Sequence, residues 1–408
     1  MSAAYYRPAS THRHLSSVAS EPSVPVDATP ARAAASIGTY DNTAEWRAER
    51  VVDKLREAKT WDAVAAMWQA QPGSFGPSVM GFALYYAAVA PGGHALLQDR
   101  TWLDMAEAAQ ASLASQGATW TWAELARATQ GVAWVVNPHP AARWAAGQDP
   151  PTAVRAPPSE VSAMLEAVAQ EVLERAAVEA PSVSSAARCV EGFAYAYAGR
   201  DMPHSVSSAM AELLDAAAHS QGKWSAASAN SVLVGMALSG VHSDAAAAAA
   251  LSAVTQHVDW YRSELLASSL WAIQRLQGSG VNTKAAVHAL ANKAELSRWA
   301  IRPRDMGTIA KALVSLGAAS PRCMACLSEV ASDAAWNDKI VGENRELLVQ
   351  AFKDFFAAGG ATAQPELGSG SAVRATFKVV EPTFTSDDSA AAWPWNVRTA
   401  APLSILAM

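Results

Sequence analysis

Apolar side chains recur along this chain at three- and four-residue spacing from Thr43 onward. Trp46, Val51 and Leu55 mark one helical face, and Trp61, Val64 and Met67 a second. Farther on, Leu266, Leu270, Ile273 and Leu276 form a stripe, and Val287, Leu290 and Ala294 form another on the segment that follows. The spacing predicts first helices at 79–90, 121–136, 184–198, 225–239, 263–277 and 304–317, each followed by a turn and a second helix. For the last three pairs the second helices are expected at 244–258, 283–297 and 321–335. Ser243, Asn282 and Ser320, the last followed by Pro321, supply their starts. The pattern fails in three places. Residues 1–42 are rich in Pro, Ser and Ala and read as an extended leader, and the Pro-rich stretch 137–158 reads as an insertion. Residues 358–408 read as a tail, where Val373, Ala375, Phe377 and Val379 alternate with Arg374, Thr376 and Lys378 as one short strand. Strand is otherwise expected to be negligible before residue 370.

The helical part, 43–357, repeats. When the segment from Ser225 is set over the segment from Ser263, Ala229 falls on Ala267, Asn230 on Ser268, Val232 on Leu270 and Leu238 on Leu276, an offset of 38 residues. A further shift of 40 places Gly307, Thr308, Leu313 and Leu316 on Ala267, Ser268, Ile273 and Leu276. The clearest copies span 222–337, and weaker ones begin near Met80, Leu125 and Ala186. A two-helix unit cannot bury both of its apolar faces alone, so neighbouring units must stack. The expected fold is therefore all-α: an α-solenoid of about six stacked helix pairs, roughly 38–45 residues each. Small residues at equivalent positions, such as Ala267 and Gly307, would let successive first helices approach closely.

The segment LLASSLWAIQRLQ at 265–277 resembles the first helix of octotricopeptide repeats, whose consensus runs close to LANxLWALARLG. Ala229-Asn230-Ser231, and Ala310-Lys311-Ala312-Leu313 with Leu316-Gly317, follow the same line. The resemblance covers roughly 222–337. Trp271 of the motif is replaced by Leu233 and Lys311 in the flanking copies, and the basic C-terminal domain that often accompanies the family is not visible. The family is abundant in green algal organelles and binds organellar RNA. What the resemblance implies here is a helical-repeat fold and RNA as partner.

Charge sharpens the expectation. The chain carries a formal charge of −6, so it is not basic throughout. Residues 259–322 nevertheless hold nine basic groups against four acids, whereas 41–180 hold ten basic groups against sixteen acids. Arg262, Arg275, Lys284, Lys293, Arg298, Arg302, Arg304, Lys311 and Arg322 are the candidate phosphate-binding residues. The alternative for them is an ordinary solvated helix face. Trp260, Tyr261 and Trp299 lie among these cations, either as base-stacking rings or as core pillars at repeat junctions. The acidic N-terminal repeats and the tails are expected to meet ribosomal or other organellar proteins.

No catalytic constellation is apparent, and no enzyme is expected. Cys323 and Cys326 form a lone CxxC with neither the further ligands of a zinc site nor the strand-to-helix setting of a redox pair, so they read as packing residues. His139, His12 and His14 have no partners at ligand spacing. Walker, Rossmann, nucleophile-elbow and HExxH motifs are missing, so neither a cofactor, a metal nor a small-molecule substrate is expected. With no run of about eighteen apolar residues, no membrane helix is expected. The first twenty residues contain Arg7, Arg13 and several serines but no acid, the composition of an organelle transit segment or of a plain tail. The expectation is an RNA-binding scaffold of the mitochondrial matrix or chloroplast stroma, most concretely a mitochondrial ribosomal protein that stabilises ribosomal RNA. The alternatives are an organellar RNA maturation or translation factor, and a protein-interaction solenoid without RNA contact.

Overall fold

A computed structural model describes residues 44–58, 60–90, 93–137, 157–220, 222–333, 339–340 and 342–359. The leader, the core of the Pro-rich insertion and the tail with its expected strand at 373–379 lie outside these residues. Within 44–359 the described elements are α-helices and short 3₁₀ turns, with no strand.

The helices alternate between two layers. The first layer holds α1 (Ala44–Glu57), α3 (Pro77–Val89), α5 (Trp122–Val136), α7 (Val183–Ala196), α9 (Ala226–Ser239), α11 (Ser263–Arg275), α13 (Pro303–Ser315) and α15 (Gly342–Ala357). The second layer holds α2 (Trp61–Ala70), α4 (Arg100–Gln116), α6 (Ser159–Ala176), α8 (His204–His219), α10 (Asp244–Gln256), α12 (Lys284–Leu296) and α14 (Pro321–Ser332). Successive helices of each layer pack side by side, and most helices also pack on a sequence neighbour, which is the contact pattern of an α-solenoid. The expected stripes are the buried ones: Leu266, Leu270 and Ile273 on α11 are at most 1 % exposed, and Leu290 and Ala294 on α12 are fully covered. In α1, Val52 rather than Val51 joins Leu55 in the core.

Local chemistry starts and stops the helices. The side chains of Ser243 and Ser320 accept from the amides of Ala246 and Cys323, as their positions predict. At α12 the cap position is Thr283, without a side-chain bond, and Asn282 Oδ1 instead accepts from the Lys284 amide at 3.2 Å. Thr121 and Glu124 close a full capping box at α5. The turn after α9 is made by Gly240 at φ +73°, a conformation that suits glycine because no Cβ is present to clash.

First-layer helices approach one another at glycine. A Cβ on Gly131 of α5 would lie 2.5 Å from the Leu84 carbonyl carbon of α3, and one on Gly307 of α13 would meet the backbone of Asn344 in α15. Buried polar groups tie the same layer in register. Gln130 and Ser231 both donate to Glu191 Oε2, at 2.9 and 3.0 Å, joining α5, α7 and α9. Ser268 and Ser269 donate to Asn230 Oδ1 at 2.5 and 2.9 Å, and Asn344 Oδ1 accepts from the Gly307 amide at 2.6 Å. Each bond satisfies a group that water cannot reach, so a slip of one helix would leave a donor or acceptor stranded.

Candidate nucleic-acid interface

The nine cations named from the sequence do not share one surface. α11 is thirteen residues long, about 20 Å at 1.5 Å per residue, so Arg262 before its start and Arg275 at its end stand on opposite edges. α12 runs back antiparallel, which puts Lys284 on the Arg275 edge and Lys293 near the Arg262 edge. Lys311 sits mid-way along α13 and pairs with Asp354 of α15. The edge where second-layer helices end and first-layer helices begin collects Arg262, Lys293, Arg298, Arg302 and Arg304. Arg322 reaches towards it by pairing with Glu295 of α12 at 2.6 Å.

Two short 3₁₀ links shape this edge: Val258–Trp260 between α10 and α11, and Arg298–Ala300 between α12 and α13. They are equivalent in register, since Tyr261 and Ile301 both close their link with an amide bond to its first residue, the carbonyls of Val258 and Arg298. Tyr261 is 3 % exposed and Ile301 1 %, so each anchors its link in the core. Tyr261 is thus a packing residue: its hydroxyl donates to the Ala226 carbonyl at 3.4 Å, and burial pushes its phenol well above the usual range. The two tryptophans do the opposite. Trp260 is 76 % exposed and Trp299 47 %, on neighbouring links of one edge. Among the described residues the other strongly exposed large apolar side chains are Leu296, the last residue of α12, and Val178, just beyond α6. Both also stand at the ends of second-layer helices.

Carboxylates from inside and outside the basic window temper its charge. Arg298 pairs with Glu329 of α14 at 3.5 Å, Arg302 with Glu264 at 2.8 Å, and Lys311 with Asp354. Glu329 and Asp354 escaped a count over 259–322 because they arrive through the stacking of α14 and α15. Such half-exposed pairs contribute about 0–1 kcal/mol each, so an incoming phosphate can compete for the guanidinium at small cost. At the start of α13, Ser263 Oγ donates to Asp305 Oδ2 at 2.5 Å and accepts from the Arg302 amide at 2.9 Å. Burial pushes the Asp305 carboxyl up to about 6, against the Ser263 bond and the Arg304 charge that pull it down. The neighbouring Arg304 guanidinium is pushed down to about 10, first by burial, and stays cationic at neutral pH.

Cys323 is buried and Cys326 half-buried in α14, and burial raises both thiols, Cys323 to about 12. No group of three His, Cys, Asp or Glu side chains able to hold a metal occurs among the described residues, and no described helix is long and apolar enough to cross a membrane. Compared with protein-family models and with curated proteins, the chain finds no match in either.

Proposed function

We propose that this chain is an RNA-binding scaffold that holds a single-stranded RNA segment along the edge formed by the links before α11 and α13. The reading extends to an organellar ribosome, most concretely a mitochondrial one, with ribosomal RNA as the ligand. Its support is the exposure of Trp260 and Trp299 on adjacent repeats, beside Arg262, Lys293, Arg298 and Arg302. A buried tryptophan stabilises its own fold, but an exposed one leaves its ring face to solvent and to any base that stacks there. Cations at the same edge would take the phosphates between stacked bases, without reading sequence.

A second reading, a protein-docking edge without RNA, draws on Leu296 within the basic repeats and on Val178, which extends the apolar exposure of this edge beyond them. Fluorescence anisotropy of the purified full chain with labelled single-stranded RNA separates the two. Trp260→Ala with Trp299→Ala should weaken binding by about 1–3 kcal/mol per lost stack. Arg262→Gln, Arg298→Gln and Arg302→Gln together should flatten the salt dependence by about 0.7 log–log units per lost contact. Affinity equal to the parent at every salt concentration for both variants would remove the RNA reading from this edge. Sedimentation of the tagged protein from an organelle lysate tests the ribosomal part, where co-migration with ribosomal particles that ribonuclease abolishes is the expected result.

A further inference from the structure

A second cationic site lies on the first layer, in the half of the chain where acids outnumber bases. Phe82, Arg127 and Arg188 each occupy the sixth position of their helix, in α3, α5 and α7. Parallel helices packed side by side stand 8–10 Å apart, so these residues form a row across the layer. The Arg127 guanidinium carbon sits 4.1 Å from the centre of the Phe82 ring, and that of Arg56, from the last turn of α1, approaches the same ring at 5.4 Å. Phe82 stacks on Tyr86 with centroids 6.1 Å apart and planes 15° from parallel, and Tyr85 meets Tyr86 edge-on at 5.7 Å. Phe82, Tyr85 and Tyr86 are all half-buried, with ring surface left to solvent, and Arg188 is exposed.

Three acids stand near these arginines, each held by other partners as well. Glu124 accepts from Ser78 Oγ and from the Thr121 amide, both at 2.6 Å, in its capping box. Glu191 is buried and bridges Gln130 and Ser231. Arg56 has Asp53 at 2.9 Å, an exposed pair of little strength. Burial lowers the affinity of Arg127 for its proton and the nearby charge of Arg188 lowers it further, while Glu124 opposes the shift and Arg56 adds to it. The Arg56 and Arg127 guanidiniums meet at one ring and the row puts Arg188 next to Arg127, an arrangement that an anion between them would relieve.

We propose that this face of α1, α3, α5 and α7 is a second RNA contact, taking one phosphate between Arg127 and Arg188 and a neighbouring base against the Phe82–Tyr86 pair. The proposal rests on the RNA reading above but on different residues. The exposed ring surface selects a nucleotide over an acidic peptide, because a carboxylate would engage the guanidiniums and leave the rings unused. The site also lies in the repeats that composition assigned to protein contacts.

The test uses the full chain and a single-stranded RNA of about 20 nucleotides carrying 4-thiouridine, sized to cover the site of a typical single-strand binder. Photo-crosslinks should map to the peptide containing Phe82 and Tyr86. Arg188→Glu, an exposed change that leaves packing intact, and Arg127→Gln with Arg188→Gln should each weaken binding about tenfold and remove those crosslinks. Trp260→Ala with Trp299→Ala should leave the same crosslinks in place. If both arginine variants bind as the parent does while the tryptophan variant loses affinity, this site is overturned and the edge stands. Loss of affinity in the arginine variants alone keeps this site and removes the edge, and an unbound parent removes both. Displacement of the RNA by polyglutamate, with no base crosslink to the Phe82 peptide, would overturn the nucleotide in favour of an acidic peptide.

Discussion

Gly131→Ala probes the closest approach in the first layer, because it adds a single methyl group where α5 crosses α3. The new Cβ would lie 2.5 Å from the carbonyl carbon of Leu84, and 2.6 Å from both its oxygen and the Tyr85 amide nitrogen. Ordinary contact begins near 3.4 Å, and these atoms are backbone, so no rotamer change can clear them. The two helices must separate by roughly 1 Å, which loosens the packing around the fully buried Leu84 on α3 and Leu125 on α5. Helix propensity works the other way, since alanine is favoured over glycine in a helix interior by about 1 kcal/mol. Overpacking of a close-packed interior costs about 1–3 kcal/mol and more where backbone must move. Strain therefore exceeds propensity, and the expected net effect is a loss of about 1–2 kcal/mol. Urea unfolding followed by circular dichroism reads it as a lower midpoint with an unchanged slope. Gly73→Ala is the control: nothing lies within 4 Å of its Cβ, so a neutral result or a gain of up to about 1 kcal/mol is expected. A Gly131→Ala protein as stable as its parent would refute the close approach, and with it the argument that glycine sets the spacing of this layer.

Other outcomes follow from burial and charge. Asp305→Asn keeps an acceptor for Ser263 but removes a buried charge; since the folded carboxyl titrates near 6 and the unfolded one near 3.8, the native state binds the proton more tightly, and ionisation costs stability as pH rises from about 4 to 6. The variant should thus exceed the parent by about 2–3 kcal/mol above pH 7 and match it below pH 4, as measured by urea midpoints across pH, and an equal gap at both ends would refute the argument. Trp120, fully buried with its indole donating to Ser112 Oγ at 3.2 Å, should cost about 3–5 kcal/mol on change to alanine. Exposed Trp260 should cost under about 0.5 kcal/mol by the same assay, and a comparable loss at both would contradict its place on the surface. Cys323→Ala with Cys326→Ala should cost about 1–3 kcal/mol and leave metal content unchanged by mass spectrometry, whereas stoichiometric zinc in the parent would overturn the packing role.

The helices and their pairing were legible in the chain because their causes are local. A stripe such as Leu266, Leu270 and Ile273 repeats with the helix turn, Ser243 and Ser320 cap the residues just after them, and the offsets of 38 and 40 residues recur between copies. Stacking then follows, since no helix pair can cover both of its faces. The candidate interface was legible only as a stretch of charge, and the fold divided that stretch. Arg262 and Arg275 are close in sequence, but a helix of thirteen residues carries them to opposite edges. Glu329 and Asp354 lie outside the basic window, yet they reach Arg298 and Lys311 through neighbouring repeats. Arg56 and Arg127 meet at Phe82, and Arg188 joins their row, across irregular intervals that include the Pro-rich stretch, so no fixed offset exposes them. Trp260 and Tyr261 make the distinction most directly. Composition treats these adjacent aromatics alike, but Trp260 ends the 3₁₀ link and Tyr261, just beyond it, turns into extended backbone. Tyr261 is sealed in the core against the start of α9 and Trp260 is held out in solvent, a difference that only the packing of neighbouring helix pairs decides.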